Sequence, residues 1–465
     1  MFFIFKVMKI SIITIFPEIF DAFFKISLVA RAIEKGLIEF NIVRFSDIVN
    51  VKQRIDEPTC GPGSGMILKP AVVQHAIEKC ENQWGKGYKV FFSPQGKKLD
   101  QRVLKKLAIR LFSKTIDSNN EQIRKNECTS KNTHLILICP RYEGMDHRVE
   151  QYYADLIISI GDYVLMGGDI PAQVFLEGLL RYLPDVVGKK ESVRQESFSS
   201  VFLDYPEYGL PVEWKNLKIP EIVLSGNHAQ IDKWRKIQAA KKTIENRFDW
   251  FTKNFPSVEE IKVAKKFIPN HYVALMHTQV IVKNGMQGNT SIASLDIHDI
   301  ARSSATYGIE NYFVVTKLQD QKKILDTFLD FWLSNVGKKY NKTRFQAVSK
   351  VRSAMDFDDV LNQIRNKEKK EPLVIATSAK DYEQYINEET KIIDYFSQGK
   401  IFKRKRPVLI VLGTGQGLSE SIIARCDYLL LPIKGMSEYN HLSVRSAAAI
   451  ILDRWLGLNG ELVDK

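Results

Sequence analysis

Ser159-Ile-Gly-Asp-Tyr-Val-Leu-Met-Gly-Gly-Asp-Ile-Pro-Ala172 decides the reading of this chain. Ile157 to Ile160 is an apolar run that reads as a buried strand, and Gly161 ends it. Tyr163-Val164-Leu165 is a second short apolar piece, and Gly167-Gly168 makes a turn that residues without a Cβ form cheaply. Pro171 suits the first turn of a helix running from about Ala172 to Tyr182. A strand, a glycine loop and a helix start can be a plain connection, or a place where backbone approaches a ligand. Spacing alone leaves both open.

Working outward, apolar strands alternate with helical stretches through residues 9–185, the pattern of a parallel sheet covered by helices. Residues 113–133 are polar and read as a surface insertion, and 188–198 lack a clear period and read as a mobile linker. From Ala229 to about Lys265 the pattern is helical, with Trp234, Arg235, Lys236, Lys241 and Lys242 giving it basic character. Those charges suit a solvated helix face as well as phosphate contact. A second α/β unit begins near Asn270, where Tyr272–Met276, Tyr312–Val315, Leu373–Ala376 and Val408–Leu412 are strand-like. It ends in an apolar-periodic helix from Ser443 to Leu456.

The bulk numbers bound the function. The 465 residues allow two to four domains, each with its own core. A net charge of +13 favours a polyanionic partner, nucleic acid before membrane. Five scattered cysteines without a CxxC pair argue against a disulfide scaffold or zinc site and for a reducing cytoplasm. The eight histidines show no metal-ligand spacing, so no metal residues are assigned. The apolar start Met1–Met8 lacks the basic flank and cleavage site of a signal peptide, and Met8 suits a true start. No other apolar run is long enough to cross a bilayer.

The opening stretch resembles the core motif of the bacterial tRNA (guanine-37-N1)-methyltransferases, SPOUT-class enzymes that use S-adenosylmethionine. Ile15-Phe-Pro-Glu-Ile-Phe20, Gly61 to Met66, Ser93-Pro-Gln-Gly96, Arg141-Tyr-Glu-Gly144 and Leu224-Ser-Gly-Asn-His228 occur in that family's order. The resemblance covers Met8 to about Arg247. It implies a trefoil-knotted parallel-sheet domain over 8–187, a helical tRNA-binding domain over 199–265, and a homodimer sharing its site. The cofactor would contact Ser93, Pro94, Pro140, Tyr142, Glu143, Ile160, Gly161, Asp162, Tyr163, Val164, Leu165, Gly167 and Gly168.

Methylating N1 of guanine requires loss of a proton from a weakly acidic ring nitrogen. A carboxylate near N1 and a cation near O6, where charge develops, meet that need. The positions matching the family's base and its guanine-binding arginine are Glu196 and Arg181. Glu196 stands where the family has aspartate, and Pro140 where it has glycine. Proline removes an N–H donor and leaves its carbonyl to meet the cofactor.

Val411-Leu-Gly-Thr-Gly-Gln-Gly-Leu-Ser419 follows a strand and precedes a helix, but GxGxG is not the GxGxxG of dinucleotide sites. With Leu431-Pro-Ile-Lys-Gly435, Asn440 to Ala447 and Leu295 to Arg302, it resembles the motifs of SPOUT-class RNA 2′-O-methyltransferases. The resemblance implies a second knotted domain over 270–465. It places a second S-adenosylmethionine against Thr377, Gly413, Gly415, Gly417, Ile433 and Leu442, with Arg302 and Ser443 at the reactive centre. Ile433 and Leu442 would sandwich the adenine. The implied partners are tRNA and a second RNA, with Mg2+ as a further candidate cofactor. A non-catalytic RNA- or cofactor-binding module is the competing reading of the second half, and a nicotinamide-dependent oxidoreductase, disfavoured by the missing GxGxxG, is a competing reading of the whole chain.

Overall fold

The computed structural model describes residues 7–50, 52–62, 65–112, 134–187, 196–380 and 391–460. The expected insertion at 113–133 and linker residues 188–195 lie outside these. The chain divides into two compact units, one ending at Ser199 and one beginning at Ser200.

In the first unit, β1 (Met8–Thr14), β2 (Ile38–Arg44), β5 (Tyr88–Lys98), β6 (His134–Ile138) and β7 (Leu156–Ser159) form one sheet in the order β2-β1-β6-β5-β7. Every pairing is parallel. A parallel sheet is covered on both faces, so its strands read as continuous apolar runs. β6 is the extreme case, with all five residues of His-Leu-Ile-Leu-Ile buried. One face packs Phe92, Leu137, Phe175 and Leu179; the other packs Phe45, Val73, Ile77 and Phe91. A small antiparallel ribbon, β3 (Asp56–Pro58) with β4 (Met66–Leu68), lies beside this sheet in the sequence.

β5 shows why Ser93-Pro94-Gln95-Gly96 stands out. Its register against β7 shifts between Phe92 and Lys97, so these four residues bulge out of the ladder within the strand. A Cβ on Gly96 would lie 2.6 Å from the backbone nitrogen of Ile158. Gly96→Ala therefore forces the β5–β7 edge apart. The expected loss is about 1–3 kcal/mol in urea denaturation, the range for overpacking, and an unchanged midpoint would contradict the close approach.

The second unit has seven strands, β8 (His271–Met276), β9 (Asn311–Val315), β10 (Val351–Ala354), β11 (Leu373–Thr377), β12 (Lys391–Ile393), β13 (Val408–Gly413) and β14 (Tyr428–Leu430). They lie in the order β10-β9-β8-β13-β11-β14-β12, all parallel. The four strands expected from sequence are all present.

The helical segment differs from expectation. Helices His228–Asn246, Phe248–Lys253 and Val258–Ala264 do not stand as a domain of their own. Ala240, Ile244, Phe248 and Phe251 share one apolar core with Val273, Ile401 and Phe402 of the second unit. The rings of Phe248 and Phe402 meet edge to face at 5.2 Å. An amphipathic helix reveals from sequence that it packs, but not against what.

Two histidines of this core are held neutral. His271 is buried; its Nδ1 faces the Pro269 carbonyl at 2.7 Å and its Nε2 accepts from the Trp455 indole N–H at 3.0 Å. Burial pushes both His271 and His277 down to about 4. The unfolded rings take up protons below about 6.5, whereas the folded ones resist until about 4. Stability is thus fully present above 6.5 and falls as pH drops through this window, by about 1.4 kcal/mol per pH unit per ring. Denaturation of the full chain at pH 7 and pH 5 should show the loss. Equal stability at both pH values would contradict it.

Candidate active site and second cleft

The glycine loop after β7 is built on close contact. A Cβ on Gly167 would meet the Arg141 side chain at 2.3 Å, and one on Gly168 would meet Pro140 Cδ at 2.5 Å. Gly168 has φ −83°, so the need for glycine is steric and not conformational. The Gly168 N–H donates to the Pro140 carbonyl at 2.8 Å. The loop thus uses one lone pair of the Pro140 carbonyl and leaves the other as an acceptor.

Beyond the loop, the Asp169–Leu180 helix begins with a carboxylate that is 1% exposed. Asp169 accepts from Thr14 at the end of β1 and from Arg141 Nε, the latter at 2.7 Å. The Arg141 guanidinium lies 4.9 Å from the Phe16 ring centre. This network ties the β1 end, the Arg141 turn and the helix start together. Asp169 and Thr14 carried no expected role, and Arg141 stood only as part of the Arg141–Gly144 motif; the signal at Asp169 is a carboxylate directly after two glycines.

The other expected cofactor residues surround this network in the chain. Ser93 and Pro94 sit in the β5 bulge. Tyr142 is exposed with φ 60°, and the Glu143 N–H donates to the Met66 carbonyl at 3.1 Å. Ile160 packs on the core, Gly161 N–H meets Ser159 Oγ at 3.3 Å, and Asp162 pairs with Lys98 at 2.7 Å. Tyr163, Val164 and Leu165 do not form a strand. They are an exposed bend, with Val164 88% accessible.

Arg181 caps the C-terminal end of the Asp169–Leu180 helix, and its guanidinium forms an ion pair with Glu196. Both side chains are partly exposed. The fold thus brings together the two residues expected to act on guanine, which are separated in sequence by a Lys/Arg-bearing stretch. Nearby, Tyr182 accepts from Gln101 at 2.7 Å, and burial raises its phenol.

At the strand ends of the second sheet lies a cleft of about 1200 Å³. Thr377, Gly413, Gly415, Gly417, Ile433, Leu442 and Ser443 all line it. Arg302 does not. It is exposed on the helix Ser294–Thr306, and no carboxylate pairs with it among the described residues. Ser443 caps the helix Val444–Leu456, its Oγ accepting from the Ser446 N–H at 3.3 Å. The reactive pair inferred from the motifs is therefore split between a cleft wall and an outer surface. Asp296, unassigned from sequence, lines the cleft instead and faces Arg445 at 3.3 Å. Burial pushes the Asp296 carboxyl above its ordinary range, and Arg445 opposes that. Among the described residues no group of acidic, His and Cys side chains could hold a metal ion.

The glycines of the cleft differ in what a side chain would meet there. Gly415 has φ +61°, and a Cβ there would lie 2.6 Å from the Ile281 carbonyl oxygen, so bulk at that position strains the loop itself. Gly435 has open space around its missing Cβ and lies on the cleft wall. Gly435→Val is the clean steric probe: at least about tenfold weaker cofactor binding to this cleft, roughly 1.4 kcal/mol, at unchanged melting temperature. Calorimetry on the full chain reads two binding events in the parent and one in the variant. Two undiminished events would remove the cleft as a cofactor site.

Residues 8–116 and 111–253 match the family described as tRNA (Guanine-1)-methyltransferase TrmD, and residues 270–457 match the family described as SAM-dependent RNA methyltransferase. A protein of Oleidesulfovibrio alaskensis named tRNA (guanine-N(1)-)-methyltransferase is 34% identical over 456 residues, covering 97% of this chain and 99% of its own length. One of the same name from Thermosipho melanesiensis is 37% identical over 262 residues, 56% of this chain and 97% of its own. The crystal structure of tRNA (m1G37) methyltransferase from Aquifex aeolicus is 29% identical, covers 49% of this chain and 88% of its own, and gives a TM-score of 0.39. The first family match runs past Ser200, so the helices packed into the second unit's core belong by sequence to the first enzyme. With a relative matched along its full length and a family match over more than half of the residues, the chain belongs to the tRNA (guanine-1)-methyltransferase family and carries a second, SAM-dependent RNA methyltransferase domain.

Proposed function

We propose that residues 8–253 methylate N1 of guanosine-37 in tRNA, with Glu196 as the base and Arg181 as the cation at O6. The observation that carries this reading is their ion pair at the end of the Asp169–Leu180 helix. The two groups present one acceptor and one forked donor side by side, complementary to the N1–H and O6 of a guanine edge. On engagement, Glu196 takes the N1 proton while Arg181 holds the charge that moves onto O6. When bound, S-adenosylmethionine would supply the methyl group as a sulfonium donor that becomes a neutral thioether, and Glu196 would release the N1 proton to solvent. The β5 bulge at Ser93–Gly96 and the loops at Arg141–Gly144 and Ile160–Gly168 would hold this donor. The Thr14–Asp169–Arg141 network fixes the two loops.

The same reading includes a trefoil-knotted pocket, a cytoplasmic homodimer, and the helices after Asn227 as a tRNA-binding segment. The exposed apolar run Tyr163 to Met166 supports the dimer, because such a patch is costly to leave in water. For the second unit, we infer S-adenosylmethionine in the cleft and transfer to RNA, with a ribose 2′-oxygen as acceptor. Asp296, which lines the cleft together with Glu438, would take the hydroxyl proton. Transcripts carrying guanosine or adenosine at position 37 test the first assignment. Methyl transfer to guanosine alone is expected; equal transfer to both would overturn it.

A further inference from the structure

The second unit carries a surface that the cleft does not absorb. Residues 335–350, Asn-Val-Gly-Lys-Lys-Tyr-Asn-Lys-Thr-Arg-Phe-Gln-Ala-Val-Ser-Lys, contain five cations and no carboxylate. They form two short helices, Asn335–Tyr340 and Lys342–Val348, that follow the helix Gln319–Leu333. Lys338, Lys339 and Lys342 are exposed, and no carboxylate pairs with them among the described residues. Asp326 and Asp330 on the preceding helix pair with none of them either. Tyr340 is 75% exposed between these lysines, and Phe331 is 48% exposed. Both rings pack edge-on to Trp332, at 6.0 and 5.3 Å, which fixes their orientation.

Arg302 belongs to this surface. On the Ser294–Thr306 helix, Leu295, His298 and Arg302 share one face by their three- and four-residue spacing. His298 on that face meets Phe328 at 4.8 Å and Trp332 at 5.2 Å. Arg344 lies 5.1 Å over the Trp332 ring. Burial lowers His298, and the charges of Arg344 and Arg302 lower it further, consistent with their closeness. The adjacent face of the same helix carries Asp296, which lines the cleft, about 9 Å back along the axis from Arg302 at 1.5 Å per residue.

We propose that Arg302, Arg344, Lys338, Lys339 and Lys342, with Tyr340 as a stacking platform, form the docking surface for a single-stranded or looped RNA segment leading to the second cleft. Uncompensated cations with an interleaved exposed aromatic ring are the two parts that sequence-tolerant single-strand binding needs. Arg302, exposed and outside the cleft lining, then holds RNA backbone beside the reacting nucleotide and does no chemistry on it. The assignment rests on the second unit acting on RNA.

The test uses the full chain and a synthetic unstructured 20-nucleotide RNA, titrated at several salt concentrations. Replacing Lys338, Lys339 and Lys342 by Glu should weaken binding and flatten the dependence of log affinity on log salt by about two, at roughly 0.7 per lost single-strand phosphate contact. The matched set Lys369, Lys370 and Lys391, replaced by Glu, removes equal charge away from this surface and should change the slope little. Tyr340→Ala should weaken binding about tenfold. A photo-crosslinking residue at 340 should label with the same RNA. Equal loss in both charge sets, or no crosslink at 340, would overturn the proposal. Binding is read without methyl transfer, so an inactive second unit and an unused surface give different results.

Discussion

Glu196→Gln lowers the single-turnover rate of methyl transfer to guanosine-37 by about two to four orders of magnitude, the usual contribution of a positioned proton-transfer group. The amide keeps the size and a hydrogen-bonding oxygen but can no longer take the N1 proton. Arg181→Ala should cost on the order of two to three orders, as loss of a donor to developing charge does. Cofactor affinity should be nearly unchanged in both, since neither residue belongs to the loops that would hold the methyl donor. A rapid-quench time course with excess enzyme separates this from slower product release. Rates close to the parent for both variants would remove the pair from the chemistry.

The second large effect is on stability. Arg141→Met should destabilise the first unit by about 3–5 kcal/mol, the cost of removing one partner from a buried ion pair. Asp169 is buried, and without Arg141 it keeps only the Thr14 hydroxyl. The methionine retains the bulk against Gly167, so lost packing is not the main cause. Denaturant unfolding read by hydrogen exchange of the buried strand His134–Ile138 reports on this unit alone. A shift below about 1 kcal/mol, typical of a surface pair, would show that the network does not hold the loops.

Much of the architecture was legible because parallel strands are buried on both faces. Runs such as His134–Ile138 and Val408–Gly413 therefore announce themselves as apolar blocks. The Gly167–Gly168 contact was legible too, although its cause is the nearness of Pro140 and Arg141 and not a left-handed turn. Tertiary partners were not legible. Nothing in the pattern of Ala240, Ile244 and Phe248 told that their partner is Phe402. The side a helical residue faces decided the fates of Asp296 and Arg302, six positions apart on one helix. The shared core carries a practical consequence: cutting the chain near residue 265 would bare Phe248 and Phe251, so the two activities are best measured on the intact protein.

Whether Arg181 and Glu196 act together on guanosine-37 is decided by mass mapping of methylated nucleotides. An unmodified tRNA transcript would be treated with the full chain or with its Glu196→Gln variant. 1-Methylguanosine is expected at position 37 with the parent and almost none there with the variant. Methylation at another nucleotide, or undiminished 1-methylguanosine with the variant, would contradict it.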